Sequence, residues 1–211
     1  MPLSIELFWS FRSPYCYLSL DRLLALNHDH GVDIRVRHVW PGAMRRQGYF
    51  SHLHDNYPTY QKHDAERMAA YLGIPFLRPS PDPLALNLDS LEPTDEQPHI
   101  RRLSRLGVVA AEAGKGMEFL DHVMRLLWDG GTDGWDRGDH LTRAVAASGL
   151  DLSTLDAAVA AAVPRLDGII EANGDALNAA GHWGVPCMVF DGEAFFGQDR
   201  IEVLKWRMGL V

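Results

Sequence analysis

Glu6-Leu7-Phe8-Trp9-Ser10-Phe11-Arg12-Ser13-Pro14-Tyr15-Cys16-Tyr17-Leu18 carries a short apolar strand through a tight connection into a helix that opens at Ser13-Pro14. Ser13 is a natural N-cap, and Pro14 suits the first helical position, where an N–H would lack a partner in any case. The first-turn N–H groups and the helix macrodipole favour negative charge just beyond such a cap. The four residues Ser13-Pro14-Tyr15-Cys16 keep a sulfur only at the last position. A Cys-x-x-Cys pair at this cap would exchange disulfides; here its nucleophilic position holds a hydroxyl, which points to other chemistry.

Working outward, Ser4 to Trp9 reads as the strand and Ser13 to about Asn27 as the helix, with Tyr17, Leu20, Leu23 and Leu24 at helical spacing and Gly31 ending it. Val32 to Val39 alternates Val32, Ile34 and Val36 against Asp33, Arg35 and Arg37, a strand with one wet face. Strand, helix, strand is a β-α-β unit. From Pro41 to about Pro58 the residues predict a long irregular loop, functional or mobile. Tyr60, Ala65, Met68, Tyr71 and Leu72 predict an apolar stripe on a helix that stops at Gly73. Pro79-Ser80-Pro81-Asp82-Pro83 excludes regular structure and delivers Leu84-Ala85-Leu86-Asn87 extended or in a turn. Helical patterns then run over Ile100 to Ala113, Met117 to Trp128, His140 to Ser148 and Thr154 to Val163, the last capped by Ser153. Pro164 opens a further helix with Leu166, Ile169, Ile170, Leu177 and Ala180 on one face, closing at Gly181. Val185 to Asp191 and Glu193 to Phe196 read as a hairpin turning at Asp191-Gly192, and Asp199 to Met208 as the final helix.

With 211 residues, 46% hydrophobic and 23% charged, the chain can bury a large core. A net charge of −8 and no run of Lys or Arg argue against a nucleic-acid partner. Met1-Pro2-Leu3-Ser4 has neither a basic nor an apolar leader pattern, and no apolar run reaches a membrane span, so a soluble cytoplasmic protein without a membrane partner is expected. Two distant cysteines fit a reducing compartment. His52, His54 and His63 lack a carboxylate or thiol at ligand spacing, so no metal site is expected.

Two separated stretches match one family. Phe8 to Leu18 with Ser13-Pro14-Tyr15, and Gly184-Val185-Pro186 with Phe196-Gly197-Gln198-Asp199-Arg200, resemble the 2-hydroxychromene-2-carboxylate isomerases and kappa-class glutathione transferases, in the DsbA-like thioredoxin-fold group. The order and spacing of elements fit over nearly the whole chain, whereas the loops of the helical block match only loosely. The resemblance implies an α/β thioredoxin-like fold, β-α-β … β-β-α, with a large helical insertion. Residues 1–40 and 182–211 would form the thioredoxin-like part, helix 164–181 would lead into it, and about 55–163 would be the insertion.

The resemblance also implies glutathione as cofactor. The residue matching Ser13 holds the glutathione sulfur; Val185, before a cis Pro186, pairs its backbone with the tripeptide; Asp199, with Gln198 and Arg200 beside it, holds the γ-glutamyl group. A thiolate is scarce at neutral pH, and a hydroxyl donor at a helix N-terminus stabilises it. Each assignment has a plainer counterpart. Ser13 suffices as a cap, Pro186 as a strand start that needs no ladder donor, and Asp199 with Glu202 as a capping box. Pro14, Tyr15, Trp40 and Asn87 are candidates for the site of an aromatic small-molecule substrate, though Tyr15 and Trp40 serve equally as core and Asn87 as a strand edge. Cys16 and Cys187 are candidates for a residual redox pair near the same site, or small buried hydrophobes. The implied reaction is isomerisation of an aromatic or chromene-type acid by reversible thiol addition. Glutathione transfer, thiol oxidoreduction through Cys16 and a non-catalytic binding module stay open, as does a homodimer.

Overall fold

Alternation in Ser4–Trp9 (β1) sends Leu7 and Trp9 to one side of a sheet and Phe8 to the other, and all three are buried because both sides are covered. The computed structural model describes residues 3–87 and 89–211. The sheet has the order β2-β1-β3-β4, where β2 is Asp33–His38, β3 is Cys187–Phe190 and β4 is Glu193–Phe196. β1 pairs parallel to β2, with Trp9 opposite His38, and antiparallel to β3, with Phe8 opposite Cys187. β3 turns back into β4 through Asp191 and Gly192, both at positive φ, as an Asp-Gly hairpin requires.

Pro14–His30 (α1) is capped by Ser13, whose side chain accepts from the Cys16 N–H, and closed by Gly31 at φ 64°. A cap of this kind stabilises a helix by ~1 kcal/mol. Tyr17, Leu20 and Leu23 pack α1 into the main core with Leu7, Trp9 and Met188. Val163–Ala179 (α8) covers the opposite face, where Leu177 meets Phe8, Val39, Cys187 and Val189. Asn173 of α8 ties that face down, accepting from Arg37 Nε at 2.9 Å and donating to the His38 carbonyl at 3.0 Å.

Between β2 and α8 the chain is helical: Gly42–Arg45 (α2), Tyr57–Leu72 (α3), Ile100–Glu112 (α4), Gly116–Trp128 (α5), His140–Ala147 (α6) and Leu152–Ala161 (α7). Its residues share one core with β1 and α1, Leu120 and Leu155 belonging with Leu7 and Leu18. Ile201–Arg207 (α9) ends the fold. Thus the chain is a thioredoxin-like β-α-β … β-β-α fold with a helical insertion. No single helix among the described residues is long and apolar enough to cross a membrane.

Four local expectations need correction. The stretch from Pro41 to Pro58 contains α2 and a 3-10 turn at Phe50–His52 where an irregular loop was expected. On α3 the buried positions are Ala65 and Ala69, while Tyr60 and Tyr71 are 60% and 80% exposed. The two alanines let α3 approach its neighbour closely, and the tyrosines lie about 140–160° around the helix from the midpoint of that pair, nearly half a turn. Asp151, not Ser153, caps α7: its carboxylate accepts from the Thr154 N–H, and the Ser153 hydroxyl donates to that same carboxylate. No capping box forms at Asp199, because a 3-10 turn over Gln198–Arg200 precedes α9 and the carboxylate binds Arg200 instead.

Candidate functional site

The N-terminus of α1 meets the loop before β3 at Ser13. Its hydroxyl donates to the Val185 carbonyl at 3.3 Å while accepting from the Cys16 N–H at 3.3 Å. The Val185-Pro186 peptide is cis, and the Pro186 carbonyl accepts from the Gly197 N–H at 2.9 Å, so this loop is pinned from β4's far end. The Val185 N–H has no acceptor among the described residues. Ser13 therefore faces a main-chain edge that keeps one donor free and one acceptor only weakly engaged.

A cavity of about 320 Å³ opens over this point, lined by Ser13, Pro14, Tyr15 and Val185 and walled by Tyr49, Trp183 and Phe196. Tyr15 is fixed in it: its hydroxyl donates to Asp64 at 2.8 Å, and burial together with that carboxylate holds the phenol well above its ordinary range. Tyr15 is thus a neutral wall. Arg12 flanks the cavity, bound through two nitrogens to Asp82 at 3.1 Å each. Over the rim, the His182 ring stacks on Trp183 at 4.5 Å and on Phe196 at 3.9 Å. Gly184 makes this possible, since a Cβ there would lie 2.5 Å from the Phe196 ring.

A larger cavity of about 810 Å³ adjoins, sharing Gly42, Arg45, Tyr49, Leu53 and Trp183 with the first. Trp40 lines this second space, not the one at Ser13. Sequence reasoning missed Arg45, Tyr49, Trp183 and Phe196. Trp183 could have been found, for it directly precedes Gly184-Val185-Pro186.

The structure does not bring the remaining candidates together. Gln198 is 6% exposed and its carboxamide oxygen accepts from Arg22, so that side chain is committed inside the fold. Asp199 and Arg200 are exposed and paired with each other at 2.9 Å on the turn beyond Phe196. Asn87 is exposed and its carboxamide Oδ1 accepts from the Asp89 and Ser90 N–H groups, a local turn outside both cavities. The expected meeting of the cysteines fails. Cys16 points into the main core and Cys187 into the cluster on the other face of the sheet. The reason is the period of two along β3: Cys187 faces away from its neighbour Met188, which packs on the α1 side. Both thiols are free and buried, and burial pushes Cys16 up to about 12 and Cys187 up to about 11. Neither is a ready thiolate at neutral pH. Among the described residues, no group of three or more His, Cys, Asp or Glu side chains is gathered for a metal.

A strand, a helix capped at a short motif, and a cis proline facing that cap define a thioredoxin-type site. The chain matches the DSBA-like thioredoxin domain over residues 4–209 and belongs to that family. Among solved structures it is similar to a 2-hydroxychromene-2-carboxylate isomerase, with a TM-score of 0.73 and 23% identity over 98% of this chain and 95% of that one. It is also similar to a probable DsbA oxidoreductase from Streptomyces coelicolor, with a TM-score of 0.63 and 19% identity over 98% and 90% of the two chains. A third likeness is to the cytosolic disulfide reductase DsbM from Pseudomonas aeruginosa with GSH, with a TM-score of 0.57 and 18% identity over 99% and 100%. At these identities the likeness is one of fold. No curated protein sequence matches the chain.

Proposed function

We propose that the protein is a glutathione-dependent isomerase of an aromatic or chromene-type carboxylic acid, with Ser13 as the group that stabilises the glutathione thiolate. The observation that carries this is the Ser13 hydroxyl at the α1 cap, 3.3 Å from the main-chain edge at Val185 and opening on an aromatic-walled cavity, while both cysteines are buried on opposite faces. The fold likeness to an isomerase, and to a disulfide reductase solved with GSH, supports the same reading.

The residues present fit the tripeptide. Val185 offers an N–H without an acceptor and a carbonyl bound only by Ser13, the donor and acceptor that an extended peptide pairs with. Ser13, whose O–H now goes to that carbonyl, would be the donor to a thiolate sulfur once a bound peptide replaced it there. The helix N-terminus adds its dipole at the same place. A charge-assisted hydrogen bond contributes about 1.5–3 kcal/mol and one pKa unit is about 1.4 kcal/mol, so this chain can lower a bound thiol by about one to two units. Asp199, exposed on the turn beyond Phe196, would receive the γ-glutamyl amine only by giving up its contact with Arg200. Tyr15, Trp183 and Phe196 would wall one side of a sulfur held over Ser13. When bound, glutathione supplies a nucleophile that adds to an activated double bond and is expelled after rotation.

Calorimetry with reduced glutathione, followed by ultraviolet monitoring of chromene-acid isomerisation with and without it, tests this. Saturable heat and turnover that requires glutathione are expected. No heat at millimolar glutathione, or turnover indifferent to it, removes the assignment.

A further inference from the structure

His182 holds the loop that presents Val185. Its ring Nδ1 accepts from the Gly184 N–H at 2.9 Å, a side-chain acceptor closing on the amide two residues ahead, as in an Asx turn. The same ring lies against two others, Trp183 at 4.5 Å and 8° between planes and Phe196 at 3.9 Å and 17°, so turning it away opens both stacks. Gly184 fits under the stack because a Cβ there would lie 2.5 Å from the Phe196 ring and 3.1 Å from the His182 Cε1. Glycine is also the residue whose backbone moves most freely once released. The Trp183-Gly184 peptide is thus pinned at both ends: its carbonyl accepts from Arg45 at 2.7 Å and its N–H donates to His182. That peptide directly precedes the one carrying the Val185 N–H. Downstream, Ser13 holds the Val185 carbonyl and the Gly197 N–H holds the Pro186 carbonyl.

Of these anchors, the imidazole is the one that titrates near neutral pH. An acceptor at Nδ1 requires the neutral ring. Once protonated, both ring nitrogens are donors, and the Nδ1–H would stand against the Gly184 N–H, donor to donor. Burial bears against the charged form and holds the pKa below its ordinary 6.5. The charged groups on the elements around it are otherwise placed. α8, from which the Leu177 carbonyl accepts the His182 N–H at 3.2 Å, carries Glu171 and Asp175 on the wall of the larger cavity. On β4, Glu193 is bound by Arg207, and on the turn beyond it Asp199 by Arg200. Among the described residues none of these forms an ion pair with His182.

We propose that His182 is a positioning residue for the peptide ligand: its neutral Nδ1, by holding the Gly184 N–H, sets the Val185 main-chain edge, so that the edge pairs with an extended γ-glutamyl tripeptide while the imidazole is unprotonated and loses that pairing when it is protonated. This rests on the reading that the edge receives glutathione, but the hold on the edge is read in the ligand-free protein as well.

S-methylglutathione, which has no thiol to ionise, is titrated calorimetrically at about pH 7 and about pH 5 into the unaltered protein, His182→Asn and His182→Phe. Asparagine keeps an acceptor for the Gly184 N–H at either pH, and phenylalanine keeps a stacking ring without one. Affinity of the unaltered protein should fall about three- to tenfold from the higher pH to the lower, the worth of one hydrogen bond. His182→Asn should bind within about twofold of the unaltered protein at the higher pH and keep that affinity at the lower. His182→Phe should bind at both as weakly as the unaltered protein does at the lower. Binding that falls equally in all three proteins overturns the proposal, as does binding to the unaltered protein that does not fall. In the ligand-free protein, nuclear magnetic resonance should show the Gly184 amide losing its protection from hydrogen exchange as the His182 ring protonates. Protection indifferent to that titration overturns the proposal whatever the ligand does. No heat at either pH, with protection that does follow the ring, removes the glutathione assignment and supports the hold of His182 on the Val185 edge.

Discussion

Ser13→Ala tests the centre of the site, and its effects can be worked out bond by bond. The substitution removes the acceptor of the Cys16 N–H and the donor to the Val185 carbonyl, both at 3.3 Å. Loss of the cap costs ~1 kcal/mol and loss of the second bond a further ~0.5–1 kcal/mol. For a chain of this length each kcal/mol lowers Tm by about 2–4 °C, so a fall of about 3–8 °C is expected by thermal denaturation. The bound thiol loses its hydrogen-bond donor as well, and its apparent pKa should rise by about one to two units in a titration of thiolate ultraviolet absorbance. Ser13→Asp separates the two roles. A carboxylate still accepts from the Cys16 N–H, so α1 keeps its cap, but it sets a negative charge beside both the Val185 carbonyl and the sulfur. Melting should stay closer to the unaltered protein than in Ser13→Ala, while thiolate formation at neutral pH falls at least about tenfold. Identical thiol titrations in all three proteins would refute the thiolate role and leave Ser13 a cap alone.

His38 is 1% exposed, stacked on Phe11 at 5.1 Å, and burial pushes its pKa from 6.5 down to about 3. The folded imidazole stays neutral while the unfolded one protonates below about 6.5, so stability present above that pH should decline as pH falls toward 3, and His38→Phe should flatten this part of a Tm–pH profile. Gly107 of α4 sits against that ring so closely that a Cβ would lie 2.3 Å from its Nε2; Gly107→Ala should therefore destabilise by ~1–3 kcal/mol in urea denaturation, despite alanine's better helix propensity. Cys16 and Cys187 should resist alkylation in the folded protein and react promptly in urea, as read by mass spectrometry, and insulin-reduction activity should be negligible; turnover abolished by Cys16→Ser would contradict the burial argument.

Much of the frame was legible because its signals are local. Ser13-Pro14 at a cap, Asp191-Gly192 at a hairpin and the alternation of Val32 to Val39 each fix a conformation within a few residues, and the structure has all three. Where tertiary packing decides, the sequence misled. Tyr60 and Tyr71 are large and apolar enough to suggest a buried stripe, yet the contact is made by Ala65 and Ala69, where smallness, not hydrophobicity, sets the approach. Asp199 with Glu202 satisfies a capping-box pattern, but the left-handed Gly197 at φ 103° starts a 3-10 turn and the pattern goes unused. Cys187 follows Pro186, and adjacency in sequence hid the strand alternation that turns it to the far face. Arg45 lay in a stretch with no periodicity to read, and its place between the cavities comes from bonds to two carbonyls, Trp40 close by and Trp183 far along the chain.

The two sulfurs lie in different layers of the molecule, with the sheet between them. A chain that keeps a serine at this cap and buries its two thiols on opposite faces of the sheet holds no thiol couple ready for exchange. On the proposed reading, oxidants in the surroundings would deplete the small thiol ligand but meet no internal couple by which the protein could record the change. Its response to oxidative conditions would follow the ligand pool and recover as soon as that pool does, without a reductase to reset the chain.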